Sequence, residues 1–384
     1  MNVPSDSFDI AVIGAGIVGA STAYFASAQR RVLLLEGESA AGYHSTGRSA
    51  ALFTEAYGPP AVRALTRASR AFFDAPPASF TATPLLKPRG TLLVGGEARR
   101  DKVLSLYSTL SSEGSAAELL DGEAARSRVP VLRPGASAVA VHDPGAFDID
   151  VDALLQGFLR GARSRGARFV PNAGVSALAR EGALWSITTA DGRRFTASCV
   201  VNAAGAWVDE VAALAGAPLI GIEPRRRSAF LFQPPAGLST EAWPAVIDID
   251  ENWYFKPDAG LLLGSPANAD PVPPHDVVAE ELDVAIGIHN IEAATTLTIR
   301  RPKTTWAGLR CFVADGEPVC GFDPAAPGFF WAAALGGYGI QSSPAFGMLS
   351  AALVLDQPVP PALVAQGLDL QALRPGRPSL RRAP

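Results

Sequence analysis

The chain opens on short apolar blocks separated by small-residue turns. "DIAVI" (residues 9–13) is a β-branched run that stops at a glycine, as a buried parallel strand does. "IVGASTAYFASAQ" follows with small and apolar residues at helical spacing, and "RVLLLE" (31–36) reads as a second buried strand. Together they predict a βαβ unit of roughly 30 residues. From about Pro59 the texture changes. "VRALTRASRAFFD" is amphipathic and predicts a helix closed by Pro76 and Pro77; "GTLLVGG" predicts a strand and "EARRDKVLSLYSTLSSEG" another helix. In "GAFDIDVDALLQGFLRGARSRGARFV" a loop leads into a helix with Leu154, Leu155, Phe158 and Leu159 on one face, then a strand.

"ALWSITTADGRRFTASCVVNAAGAW" predicts two strands joined at an Asp-Gly turn, the second apolar enough at "CVVNAAG" to re-enter the parallel sheet. Residues 221–303 alternate apolar and polar positions in "RRRSAFLFQ" and "PAVIDIDENWYFKPDAGLLLGSP", which predicts an antiparallel sheet. "GFFWAAALGGYGIQSSPAFGMLSAALV" predicts a strand, a glycine-rich turn and a long helix, and the Pro- and Arg-rich end (373–384) predicts a flexible tail. The fold class expected is α/β: a Rossmann-like nucleotide-binding domain from residues 1–57, 145–220 and 304–372, interleaved with an α+β substrate domain from 58–144 and 221–303, built on an antiparallel sheet.

Composition narrows the function. Of 384 residues, 48% are hydrophobic and 18% charged, with a formal net charge of −4. That balance lacks the basic face of a nucleic-acid partner. The cysteines Cys199, Cys311 and Cys320 fit no paired framework, which points to a reducing, cytoplasmic setting, and the four scattered histidines make no metal pattern. The start of the chain does not read as a signal peptide, and no apolar run nears the ~20 residues of a membrane span.

The first chemical signal is Gly14-Ala15-Gly16-Ile17-Val18-Gly19, set between a predicted strand and helix, with Glu36 ending the next strand. The glycines allow a tight turn and close approach to a pyrophosphate at the helix N-terminus, and the acid can accept hydrogen bonds from an adenosine ribose. This context alone does not separate NAD from FAD. "HSTGRSA" (44–50), "VNAAGAW" (201–207) and "GGYGIQSSPAFG" (336–347) together resemble the D-amino acid oxidase-like family of FAD-dependent amine and amino-acid oxidoreductases, which includes glycine and sarcosine oxidases. Within it the chain looks most similar to bacterial D-arginine dehydrogenase-like enzymes, through "GYHSTGRSAA", "RRSAF", "GSPANADPV", "TTLTIRRP" and "TWAGLR".

The resemblance implies non-covalent FAD, since neither Cys311 nor Cys320 falls in the motif that attaches the cofactor in some relatives. Gly14, Gly16, Gly19 and Glu36 would hold its ADP half. Ser45, Thr46, Arg48 and Ser49 would line the pyrophosphate and flavin; Gly205 and Trp207 would meet the cofactor in mid-chain. Gly337, Tyr338, Gly339, Ile340 and Gln341 would set a helix N-terminus near the flavin pyrimidine. On the substrate side Arg310 matches the arginine that clamps a carboxylate, a task suited to the guanidinium fork. Arg227, Tyr57 and Tyr254 would assist, with Leu52, Thr54, Gly90 and Gly308 around the substrate pocket.

The implied reaction is oxidative deamination of a D-amino acid to an imino acid, then a 2-oxo acid and ammonia, with oxygen, a quinone or another acceptor taking the electrons. The D-arginine-type enzymes carry an acid just past a Pro-Arg pair, where this chain has Gly90, and a histidine where it has Leu52. Both changes remove polarity. A buried cationic side chain would lose its partner, so neutral or apolar D-amino acids are expected over D-arginine. Glu55 could supply an acid from another direction, although a surface position is expected for it. The alternatives are an FAD-dependent 2-hydroxy-acid dehydrogenase, or an amine, glycine or sarcosine-type oxidase.

Overall fold

The computed structural model describes residues 7–55 and 57–380. The start of the chain read for a leader (1–6) and Ala56 of "AYG" lie outside the described residues.

The predicted βαβ unit forms as strand Ser7–Ile13, helix Ile17–Ala26 and strand Val32–Leu35. Its strands are parallel, and two more parallel neighbours, Arg168–Val170 and Arg194–Asn202, flank them. Arg194–Asn202 does two jobs. Its first half pairs antiparallel with Leu184–Thr189 across the Asp-Gly turn, and its second half pairs parallel with Phe329–Ala333. The switch follows polarity, because "CVVN" is buried throughout while the hairpin half alternates.

Alternation along these strands divides the interior in two. Ile10, Val12, Leu34 and Val201 face one core; Ala11, Leu33, Leu35 and Val200 face the other. The first core is closed by helices Ile17–Ala26, Pro60–Asp74, Val151–Ser164 and Gly339–Val354. Helix Val151–Ser164 starts where Asp150 accepts the Ala153 N–H (2.9 Å), and buries Leu154, Leu155, Phe158 and Leu159 as its spacing predicts. Phe158 packs among Phe80 (5.1 Å between ring centroids), Tyr24 (5.4 Å) and Phe72 (5.6 Å). Truncating such a ring to alanine costs about 3–5 kcal/mol. Helices Ile17–Ala26 and Gly339–Val354 approach closely, since a Cβ on Gly347 would lie 2.7 Å from the Ser21 side chain. Pro344 inside the second of these leaves the Ile340 carbonyl without its helical donor, and the Ser343 hydroxyl takes that place (2.9 Å).

A nine-stranded sheet forms the other half. Its strands include Thr91–Gly95, Val139–Asp143, Glu223–Phe232, Ala245–Asp248, Tyr254–Asp258 and Leu261–Ser265. The pairing is antiparallel as predicted, except that Ala245–Asp248 runs parallel to Thr91–Gly95. Thr304–Phe312, expected at the start of a cofactor-binding segment, instead pairs along Glu223–Phe232 and belongs to this sheet. One face is covered by helix Glu281–Ala294 over Phe230, Phe232, Phe255 and Leu262. The other turns toward the nucleotide-binding sheet. A third sheet of three short strands, Leu52–Phe53, Phe147–Ile149 and Leu86–Pro88, bridges the two halves.

The tail differs from its expectation. Residues up to Leu380 are structured, and residues 381–384 lie outside the described set. Leu373 is buried, and the Arg377 side chain makes two hydrogen bonds to Asp315 (2.7 and 2.8 Å) besides donating to the carbonyls of Pro318 and Glu317. Composition suggested disorder; a buried ion pair with a loop some 60 residues away overrides it.

Candidate active site

A cleft of about 520 Å³ runs between the two large sheets. Its nucleotide end is built by the first glycine turn. Gly14 has φ +99°, and a Cβ there would meet the Ala203 carbonyl at 2.5 Å. Gly19 lies behind the turn, where a Cβ would overlap the Gly14 carbonyl at 1.8 Å. Gly16, at the N-terminus of helix Ile17–Ala26, lines the cleft and has no side chain to cap the helix, whose first N–H is taken by Thr46 while the next ones stay uncapped. Exposed N–H groups at that end suit a pyrophosphate. Glu36 stands at the cleft wall, its Oε2 accepting the Ala15 N–H (2.8 Å) and its Oε1 the Glu38 N–H (3.0 Å), which fixes the carboxylate while leaving lone pairs for a ribose.

The ribbon after Glu36 is held by its own polar groups. Thr46 Oγ1 accepts the Ile17 N–H (3.0 Å), the Ser45 hydroxyl donates to the Leu309 carbonyl (2.7 Å), and Ser49 Oγ accepts the Ala51 N–H (3.0 Å). Arg48 lines the cleft, but its guanidinium is engaged by Asp276 (2.5 Å) and the carbonyls of Val277 (2.7 Å) and Ala307 (3.3 Å). It therefore fastens the 276–277 loop over the ribbon. Asp276 also accepts the Tyr43 hydroxyl (3.1 Å), and nothing in the sequence marks it. Gly205 and Trp207 line the cleft, Trp207 with its ring 4.6 Å from the His44 ring.

At the far end, Gly337, Gly339 and Ile340 line the cleft at the N-terminus of helix Gly339–Val354, which has no side-chain cap. Gln341 is turned elsewhere: its side chain accepts the Thr54 N–H and donates to the Thr66 hydroxyl (both 3.1 Å), tying three elements together. Arg310 and Arg227 line the cleft with Tyr254 and Gly308. They sit on adjacent strands, where Arg227 pairs with Gly308 and Arg225 with Arg310, so both guanidiniums share one sheet face.

Neither guanidinium ion-pairs with a carboxylate among the described residues. Their neighbours do: Arg225 with Glu223 (2.7 Å) and Arg226, on the opposite face, with Asp283 (2.8 Å). Burial works against the Arg310 charge, but the hydroxyls of Tyr57, Tyr254 and Tyr338 outweigh it and raise its pKa above the ordinary value. Arg227 shifts the other way, lowered by burial and then by the Arg310 charge; its Nε donates to the Asn268 carbonyl (2.6 Å). Tyr57 meets Tyr338 edge to face at 5.0 Å, and burial together with Tyr57 raises the Tyr338 phenol above its usual range.

Leu52, Thr54 and Gly90 lie outside the cleft wall. Leu52 pairs with Asp148 in the bridging sheet. Gly90 (φ +70°) is buried beside His142, whose Nε2 would lie 3.1 Å from a Cβ there. Glu55 is partly exposed, 4.0 Å from Arg70. Cys199, Cys311 and Cys320 are free and buried, and burial pushes each thiol up to about 12, so all three stay protonated and inert.

The cradle fits FAD on several independent observations. Backbone crowds Gly14 and Gly19 of the turn, an acid is fixed at the ribose end, and a helix N-terminus faces each half of the cleft.

Comparison with known proteins agrees. Residues 9–353 match the family model described as "FAD dependent oxidoreductase" (DAO), and the chain belongs to that family. It is 24% identical to FAD-dependent oxidoreductase domain-containing protein 1 of Bos taurus, over 92% of this chain and 82% of that protein. It is 25% identical to sarcosine oxidase subunit beta of Rhizobium meliloti, over 82% of this chain and 77% of that one. The fold matches glycine oxidase from Geobacillus kaustophilus with a TM-score of 0.81, at 23% identity and covering 92% and 96% of the two chains. None of these three is a D-arginine dehydrogenase, so they support family, fold and FAD, and leave the substrate to the site.

Proposed function

We propose that this FAD-dependent oxidoreductase oxidises D-amino acids, preferring neutral or apolar side chains over D-arginine. The observation that carries the reading is the buried pair Arg310 and Arg227, which lines the cofactor cleft and makes no ion pair with a carboxylate among the described residues. A buried cation without a counterion is costly, and a substrate carboxylate supplies one with bidentate geometry. The D configuration is supported by the resemblance of "GYHSTGRSAA" and "TWAGLR" to D-arginine dehydrogenase-like enzymes.

FAD, when bound, supplies the two-electron acceptor for the substrate's α C–H bond. The protein's part is placement. Arg310 fixes the carboxylate, the hydroxyl of Tyr57 supports the charge of that guanidinium, and Tyr254 closes the same wall. Holding the α-carbon in one pose supplies much of the rate. The substrate amine enters neutral, and the imino acid that leaves takes up water to give a 2-oxo acid and ammonia. A glycine- or sarcosine-type oxidase is the second reading, favoured by the relatives named above. Product analysis separates the readings. One ammonia and one 2-oxo acid per D-amino acid consumed supports the first; turnover of sarcosine with methylamine or formaldehyde as product, and none with chiral D-amino acids, refutes it.

A further inference from the structure

Residues 272–280 join strand Asp270–Pro271 of the nine-stranded sheet to helix Glu281–Ala294 and carry no regular secondary structure. Both ends of this arm are anchored. The Val272 N–H donates to the Pro224 carbonyl (3.0 Å), and Glu280 pairs with Arg226. Pro273 and Pro274 stiffen the approach. Among residues 273–280 Val277 alone is buried, 3% exposed. It sits in a small apolar cluster with Ala206 and Trp207 from one wall of the cleft, and Leu309 and Cys311 from the other.

Three hydrogen bonds tie the arm to the ribbon. Arg48 donates to Asp276 (2.5 Å) and to the Val277 carbonyl (2.7 Å), and the Tyr43 hydroxyl donates to Asp276 (3.1 Å). Tyr43 lines the cleft and is 46% exposed, which puts the arm where the cleft meets solvent. The ribbon does not depend on the arm. Its Ser45 hydroxyl donates to the Leu309 carbonyl (2.7 Å), and Trp306 Nε1 donates to the Arg48 carbonyl (3.1 Å). The clasp itself is wet, with the Asp276 side chain 55% exposed against 16% for Arg48. An exposed ion pair is weak and salt-screened, so the arm lifts at far lower cost than either wall moves.

We propose that residues 275–278 form a strap across the mouth of the cofactor cleft, latched by Asp276, which lifts to let FAD in and out. Asp276 is a positioning residue, acting through Arg48 and Tyr43. Only FAD itself is required, and no particular substrate, so loss of the D-amino acid reading leaves the strap untouched.

The test measures FAD traffic in the full chain. Release is followed as exchange of bound FAD for excess 5-deaza-FAD, and association as stopped-flow quenching of flavin fluorescence by apoprotein. A latch slows passage in both directions. Asp276→Asn is therefore expected to speed release and association each by about threefold to tenfold, between an exposed ion pair and a buried charged hydrogen bond, while Kd moves by less than about twofold. Tyr43→Phe, which keeps the ring and removes one of the three bonds, is expected to do the same more weakly. Raising salt from ~0.05 M to ~0.5 M should bring wild-type release toward the Asp276→Asn rate and change that of the variant little. Release from Asp276→Asn at the wild-type rate overturns the proposal. Faster release with unchanged or slower association also does, because that is lost affinity and not an opened gate, and so does an equal salt response in the two proteins. If Asp276→Asn does not fold, Tyr43→Phe against wild type decides by the same rates.

Discussion

A Cβ added to Gly337 would lie 2.8 Å from the Cζ of Arg310. The glycine turn before helix Gly339–Val354 thus leaves the space that the Arg310 guanidinium, the proposed clamp, fills. Gly337→Ala is expected to displace that fork, raising KM for every carboxylate substrate while FAD remains bound. Arg310→Met removes the clamp outright and is expected to lower kcat/KM about 100-fold or more, since two charge-assisted hydrogen bonds are worth ~1.5–3 kcal/mol each. Steady-state kinetics with the flavin content of each variant checks both.

Gly14 makes the corresponding prediction for the cofactor. A side chain there faces a positive φ and the Ala203 carbonyl together, with no flexible neighbour to yield. Gly14→Ala is expected to purify largely without flavin, and fluorescence titration of the apoprotein with FAD should show Kd raised by tenfold or more. Tight FAD binding by that variant would contradict the cradle.

The docked tail should be measurable in stability. The Arg377 side chain is 6% exposed and meets Asp315 at 18% exposure. Removing one partner of such a buried pair costs about 3–5 kcal/mol, toward the lower end here because the acid is partly hydrated. Arg377→Ala is expected to lower Tm, and truncation before residue 371 should do the same; a Tm unchanged in both would mean the tail contributes nothing.

His142 sets a pH dependence. Burial lowers its pKa first, and the adjacent Arg128 charge lowers it further, against the opposing effect of Glu118. Folded His142 therefore binds a proton less readily than the unfolded chain, whose histidine titrates near ~6.5. Its contribution is present above that pH and is lost as pH falls through the folded value. Denaturant midpoints between pH 5 and 7 are expected to fall on the acid side more steeply in wild type than in His142→Phe.

The proposed nucleotide half of the site is readable in sequence because it is local. Gly14, Gly16, Gly19, Glu36 and the ribbon through Ser49 lie within one stretch, where turn geometry and strand alternation speak directly. Arg310, Arg227, Tyr57 and Tyr254 were reached only through family resemblance, since one arginine in a strand looks like another until its counterions are known. Two readings needed the fold. Arg48 looked like a cofactor ligand, yet its guanidinium is taken by Asp276, 228 residues away. Arg377 sat in a sequence that composition assigns to disorder, and its partner Asp315 lies in a loop with no pattern of its own.

Anaerobic stopped-flow spectra of the holoenzyme mixed with D-methionine, L-methionine, D-arginine and D-2-hydroxyisocaproate read the substrate class at the flavin itself. The oxidised flavin band is expected to disappear rapidly with D-methionine, much more slowly with D-arginine, and not at all with the L-enantiomer or the hydroxy acid. Faster reduction by D-arginine, or reduction by the hydroxy acid alone, would contradict the proposed substrate class.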